Sequence, residues 1–401
     1  AADNLMTIYQ WAGSQGGVIH TAFAADNIGQ RCKPSGGSSM VRRNVGLLLV
    51  MVGMHKVGLR DLEGAVAMAE AQGEFLPILS NKVILGISLS LLGRMEEAIP
   101  HLHAAAKMAA GAGSGLWRHR AKFQLAEAYL MLGRYQEAAS WFARGVPAAL
   151  SVEPPASGFG TAEVCLCELR LGKDPRAILE QLDGPLGMPL LEKGAALLRY
   201  VALGARMQVL LAAERFDEAY NVAAEGLKLA ATGNDTYSYA RGMDGHVGTA
   251  LSLLRLWERR KDGRARMPGV PNEQTLARES TQAILHLKKC ARMFPCAQPA
   301  WLIMRGIAAR LQGKLARAEV LLGEAAVRAG ELRLPQRCAA QVDGVEVRRV
   351  EPSVVQLGAR ALGERLQPIP LDDLRTGQPV FPLCDGPPER SGPRHVPCAC
   401  H

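Results

Sequence analysis

The residues of this 401-residue chain that could do chemistry are poorly placed for it. The densest group ends the chain as Cys384…Cys398-Ala-Cys400-His401. Structural zinc takes ligand pairs about two to four residues apart, on a turn that aims both sulfurs at one ion. Cys398 and Cys400 have one residue between them and prolines stiffen the approach, so no metal is expected. His101 and His103, in PHLHAAAK, point to different helix faces at spacing two and cannot chelate from one helix. His119, His246 and His286 stand alone and are read as surface or capping residues. Glu96-Glu97, Glu137 and Asp217-Glu218 open helices, where carboxylates complement the N-terminal dipole. GSQGG and SGGSS lack the lysine and the β-α unit of a phosphate-cradling loop, and neither Gly-x-Ser-x-Gly nor His-Glu-x-x-His occurs. No catalytic constellation emerges, so the expectation is a chain that is not an enzyme and carries no cofactor.

The elements that would position these residues are helices. In AKFQLAEAYLMLGRYQEAASWFARG (121–145), Leu125, Ala126, Tyr129 and Leu132 recur at helical spacing. Gly133 stands where that helix must end, in the left-handed C-cap. Ala138, Phe142 and Gly145 mark the apolar face of a second helix, with small residues where two helices cross closely. One such hairpin cannot bury its own apolar face, so copies are needed. Gly86 and Gly93 replace Ala126 and Gly133 one copy earlier, 40 residues back, with Ala98, Leu102 and Ala105 in register. Gly46 and Gly53, with Leu62 and Ala65, lie 40 further back. Forward come Cys165, Gly172 and Ala177, then Met207, Glu214, Ala219, Ala223 and Gly226, then Gly306, Gly313, Ala318, Leu322 and Ala325. Four copies (81, 121, 200 and 300 onward) are good and two are degenerate.

This pattern resembles the tetratricopeptide repeat (TPR) family in a long-spaced form of about 40 residues per unit. The resemblance implies an all-α fold, a TPR-type α-solenoid built as a right-handed superhelix of antiparallel helix pairs. In such arrays the first helices of successive units line a groove that takes an extended peptide or a partner helix. Counted from the aligned glycines, the groove positions are Arg120, Phe123, Glu127 and Leu130 in the central unit. Val83 and Ile87 are their equivalents one unit earlier, Gln208 and Leu211 in the later strong unit, and Ile303, Ile307 and Arg310 in the last. Phe123, Val83 and Ile303 read equally well as inter-repeat core. The lysine and asparagine clamp of chaperone-binding TPR domains is missing, since Phe123 and Glu127 hold those places.

Length then counts repeats rather than domains. Residues 1–39 read as a degenerate helix (3–12) and a loop (CKPSGGSS, 32–39), and 40–335 as the superhelix, with breaks near 152–160, 183–189 and 261–274. Residues 336–401 are Pro/Gly-rich, with one short helix over 353–365 and otherwise a disordered tail. Cys165, Cys167 and Cys290 lie in apolar helical context and read as buried small hydrophobes of a reducing compartment. No charged-then-apolar leader opens the chain, and its longest apolar run, Val45 to Met54, is about half of a membrane span. A cytoplasmic protein without membrane contact is therefore expected. The first residue is Ala, and the first pair has a thin polar face, which leaves room for a preceding segment.

Two further features bear on partners. Six basic residues (Arg255, Arg259, Arg260, Lys261, Arg264 and Arg266) face only Glu258 and Asp262, in a chain of net charge +9. Without a helix-turn-helix or RNA-recognition signature, they read as a solvated helix end rather than a nucleic-acid patch. Residues 290–330, with Arg-x-Phe-Pro-x-Ala-x-Pro at 292–299, also resemble the C-terminal TPR region of soluble-type adenylyl or guanylyl cyclases and related signalling ATPases. The function expected is a protein-interaction scaffold. The alternative is the regulatory region of a larger nucleotide-signalling enzyme, docked on its flanking domains.

Overall fold

The structure is a computed structural model, and it describes residues 36–51, 53–111, 115–150, 160–184, 196–232, 242–263 and 267–334. The expected helix over 3–12, most of the breaks at 152–160 and 183–189, and everything beyond Leu334, including Cys384, Cys398 and Cys400, lie outside them. The described residues hold seven consecutive helix pairs. These are α1 (Gly36–Met51) with α2 (His55–Gln72), α3 (Phe75–Leu91) with α4 (Met95–Gly111), and α5 (Gly115–Met131) with α6 (Tyr135–Leu150). Then follow α7 (Thr161–Arg170) with α8 (Pro175–Asp183), and α9 (Ala196–Ala212) with α10 (Phe216–Thr232). Last come α11 (Gly242–Asp262) with α12 (Glu273–Met293), and α13 (Gln298–Leu311) with α14 (Leu315–Glu331). The sixth pair carries none of the glycine register, yet its helices pack together like the rest.

The turn inside six of the pairs repeats one backbone solution. Gly53, Gly93, Gly133, Gly172 and Gly313 have φ of 89°, 82°, 74°, 80° and 77°, the left-handed conformation expected from the spacing. The following amide reaches back to the helix, as in Arg94 N–H to the Leu89 carbonyl and Arg134 N–H to the Tyr129 carbonyl, both 2.9 Å. At the same place in the α9–α10 turn stands Glu214, with φ of 57°. A side chain in that region costs about 1 kcal/mol. Glu214→Gly is expected to stabilise the chain by about 0.5 kcal/mol once the added freedom of the unfolded glycine is subtracted. Chemical denaturation of the two proteins checks it, and a lower midpoint for the glycine variant would contradict it.

Within a pair, the small residue of the first helix receives a leucine sixteen positions later. A Cβ added at Gly86 or Gly306 would lie 2.5 Å from Leu102 Cγ or 2.8 Å from Leu322 Cγ. Gly46 stands the same way, 2.8 Å from both Leu62 Cγ and the Gly58 carbonyl oxygen. Ala126 above Phe142 is the same arrangement in the third pair, both buried. Adjacent first helices also touch (α1 with α3, α3 with α5, α7 with α9, α9 with α11, α11 with α13) and so form the inner layer.

The array returns on itself. Helix α3 meets the 3-10 turn Pro295–Ala297 that opens the last pair. The Leu332 side chain lies against Gly93, where an added Cβ would sit 2.7 Å from its Cδ2, and Arg333 pairs with Glu96. The consequence is burial of the inner layer. Helix α3 hides residues on all sides, from Pro77 and Leu79 through Ser80, Asn81 and Val83 to Leu91, and α11 and α13 do the same. Among the polar groups caught there, Asn81 Nδ2 donates to the Ala65 carbonyl at 2.9 Å.

One boundary is corrected. The loop expected over 32–39 is helical from Gly36, and Ser39 is buried. Glycine and serine composition marks a turn only where nothing covers it, and here packing within the first pair overrides propensity.

Candidate functional site

The residues expected to line the groove include apolar and polar members, which fall into two groups. Phe123 and Ile303 are 2% and 1% exposed and belong to the core between repeats. Phe123 meets Phe142 edge-on at 5.0 Å and His119 at 5.6 Å, and Gly160 lies over both phenylalanine rings. Neither Phe123 nor Ile303 has a solvent face to offer a groove ligand, and for Phe123 the covering turn is at Gly160. Val83, Leu130 and Ile307 are buried with them.

The polar four are half-buried, and they sit on three different first helices. Arg120 and Glu127 lie on α5, and the Arg120 guanidinium is 5.5 Å from the Trp117 ring centre. Gln208 on α9 accepts from Arg170 of α7 at 2.7 Å and donates to the Gly204 carbonyl at 3.1 Å. Arg310 on α13 pairs with Glu258 of α11, whose other oxygen holds Arg255 at 2.9 Å. Gln208 and Arg310 thus tie neighbouring first helices together, while Arg120 and Glu127 stand about two turns apart on one helix.

The basic segment is consumed by structure. Arg260 donates to the carbonyls of Met267 (2.9 Å), Pro271 (3.2 Å) and Val270, folding the described part of the α11–α12 loop onto the helix end. Lys261 caps the Leu311 carbonyl of α13 at 2.5 Å, and Arg259 lies over Phe216. Arg264 and Arg266 lie outside the described residues.

Three histidines expected at the surface are in the core. His119 and His246 are buried, and His286 is nearly so. His119 Nδ1 faces the Gly145 carbonyl at 3.3 Å, His246 Nδ1 pairs with the Tyr200 hydroxyl at 2.7 Å, and the His246 and His286 rings lie parallel at 6.4 Å. His119 and His246 each engage one ring nitrogen in a local hydrogen bond, the usual way for a helix bundle to bury an imidazole. Burial holds the His286 imidazole below the usual range, with Lys289 adding to it. The thiols go the other way: burial pushes Cys165 up to about 12, and Cys167 and Cys290 rise for the same reason. They stay protonated at neutral pH and act as small hydrophobes. Among the described residues no cluster of His, Cys, Asp or Glu is placed to hold a metal ion.

With this geometry, the comparisons can be placed. The family model for the tetratricopeptide repeat matches residues 78–151, which cover α4, α5 and α6 and most of α3. This part of the chain is a tetratricopeptide-repeat array. The apo form of RapI shares the TPR-type solenoid fold at 12% identity and a TM-score of 0.51, covering 77% of this chain and 99% of RapI. Two weaker likenesses are to the TPR-like repeats of a kinesin light chain from Podosopora anserina and to yeast Tom70. The first is 17% identical, with TM-score 0.39, over 47% of this chain and 93% of that one. The second is 14% identical, with TM-score 0.42, over 88% and 63%. No curated protein matches the sequence. A TPR array is in general a protein-interaction module, and no helix among the described residues is long and apolar enough to cross a membrane.

The TPR solenoid also presents an outer feature that the groove argument missed. Helix α13 forms the floor of a trough between α12 and α14, in two connected cavities of 470 and 310 Å³ that meet at Trp301 and Lys288. Trp301, Arg305, Ala308 and Gln312 make its floor stripe, at the i, i+4, i+7, i+11 spacing of one helix face. That spacing was present in the sequence beside Ile303, Ile307 and Arg310, on another face of the same helix.

Proposed function

We propose that this chain is a scaffold that binds a peptide or helix of a partner protein through the first-helix face of its TPR array, with Arg120, Glu127, Gln208 and Arg310 as the polar contacts. The observation carrying this reading is the half-burial of those four on three first helices of one stacked TPR array. Half-buried polar groups on a rigid layer fix the orientation of a ligand without having to be ordered on binding. Residues 40–335 form the interaction unit in this reading, with 336–401 as an appended tail. Buried, protonated Cys165, Cys167 and Cys290 suit a reducing compartment such as the cytoplasm.

The test is selection of binding peptides from a displayed library against the full chain, followed by titration against Arg120→Glu/Glu127→Lys. Affinity is expected to fall by about tenfold or more, equivalent to about 1.4 kcal/mol, with the melting curve unchanged. Peptides that bind the double variant as tightly as the parent would remove the first-helix face from the account. Failure to select any peptide would remove the scaffold reading.

A further inference from the structure

The outer trough over α13 differs from the first-helix face in charge and in shape. Its walls and floor carry Lys288, Arg292, Arg305, Arg317 and Arg328 against only Glu324 and Glu331. Glu331 is already paired with Arg328 at 2.5 Å, and Arg328 also donates to Gln298 at 2.6 Å. Lys288, Arg292, Arg305 and Arg317 have no carboxylate partner among the described residues. The half of the trough beside Arg305 and Arg317 contains no acidic residue.

Between these cations the surface is apolar. Ala308, Ala309, Ile284 and Leu321 line one half and Ala291 and Leu302 the other. At the rim, Leu285 of α12 is 54% exposed and Val327 of α14 is 59% exposed. Two large apolar side chains left half in water across one trough mark an uncovered contact surface rather than ordinary scatter. At the centre sits Trp301, with Arg305 4.6 Å and Lys288 5.9 Å from its ring centre. Its indole N–H is shielded from water and has no acceptor among the described residues.

The shape suits a helix. The preceding second helices α10 and α12 pack more closely on each other than do α12 and α14, which flank α13. The floor helix has 14 residues, about 21 Å at 1.5 Å per residue, enough for about four turns of a helix lying along it. A single-stranded nucleic acid would use the cations but needs an open aromatic face on which to stack, and the guanidinium and ammonium groups cover Trp301.

We infer that the trough formed by α12, α13 and α14 is a docking site for an acidic amphipathic helix of a partner protein, its apolar stripe on the alanine floor and its carboxylates on Arg305, Arg317 and Lys288. This rests on the scaffold reading but places a second site on the outer face of the array. Recognition follows the helix-in-groove mode, with anchors at i, i+3 or i+4, and i+7. The charges set orientation and on-rate more than affinity.

The experiment uses the full chain and a displayed library of helical peptides, with apolar residues at those anchor positions and all other positions random. Two variants are titrated with the selected peptides: Arg305→Glu/Arg317→Glu, and Leu285→Asp. Both change half-buried or exposed positions, and melting curves verify that each variant is folded. The expected result is enrichment of Asp and Glu in the selected peptides and at least a tenfold loss of affinity in each variant. Peptides without acidic enrichment, or with unchanged affinity for both variants, would overturn the inference. If affinity is instead lost in Arg120→Glu/Glu127→Lys, the scaffold reading stands and the outer site falls. A single-stranded oligonucleotide that binds more tightly than the peptides, with a steep salt dependence, would also overturn it.

Discussion

Gly248→Val is expected to break the array between its fifth and sixth pairs. Helices α9 and α11 cross there with backbone on backbone. A Cβ at Gly248 would lie 2.6 Å from both Cα and the carbonyl oxygen of Gly204, and a Cβ at Gly204 would lie 2.7 Å from the Asp244 oxygen. Neither obstacle is a side chain that can swing away, so any substitution must push the two helices apart. Overpacking costs about 1–3 kcal/mol where side chains can adjust, and here the loss is expected at or above the top of that range. Because a solenoid holds together by nearest-neighbour interfaces, the melting curve of the variant should divide into two transitions. The control is Gly323→Ala on α14, whose added Cβ meets nothing within 4 Å. That change should instead stabilise by about 0.5–1 kcal/mol, the ordinary glycine-to-alanine gain within a helix. Equal effects from the two substitutions would show that α9 and α11 do not cross at these glycines.

Phe123→Ala is the second large effect. The ring is fully enclosed by Phe142, His119 and the turn at Gly160, so its removal leaves a cavity in rigid surroundings. Loss of about 3–5 kcal/mol is expected from the transfer and cavity terms together. The prediction separates the two readings that the sequence left open. A groove residue would lose partner affinity on truncation and leave the melting temperature where it was. A core residue does the reverse, and chemical denaturation together with peptide titration on one variant distinguishes them.

The fold was legible in the sequence wherever backbone geometry demands a particular residue. Five glycines spaced through the repeats mark left-handed turns, and their spacing carried Glu214 into the same class before any φ was measured. The small-to-large pairing of Gly86 with Leu102 and Gly306 with Leu322 was equally readable, since a close crossing needs it. The site was legible only in part. Periodicity tells which face of a helix is apolar, but not whether that face meets another repeat, solvent or the far end of the chain. Phe123 and Ile303 were ambiguous for that reason, and for Phe123 it is Phe142, His119 and the turn at Gly160 that decide the surroundings. His246 looked solitary because its partners, Tyr200 on α9 and His286 on α12, lie 46 and 40 residues away in sequence. The Trp301–Arg305–Ala308–Gln312 stripe of the outer trough lies on a different face of α13 from Ile303, Ile307 and Arg310, and periodicity alone does not mark it as a trough floor.

Closure of the array links these results, because it buries the inner layer and leaves the trough over α13 on the outside. It can be measured as a distance between spin labels at Glu97 and Glu331, attached through introduced non-cysteine handles so that the native thiols are untouched. With Arg333 paired to Glu96 and Leu332 seated on Gly93, one narrow distribution near 20 Å is predicted, roughly two helix diameters. An open arc of four intervening pairs, at about 8–10 Å per helix step, would separate the labels by on the order of 40 Å or more. A broad distribution at that longer distance would contradict the closed array.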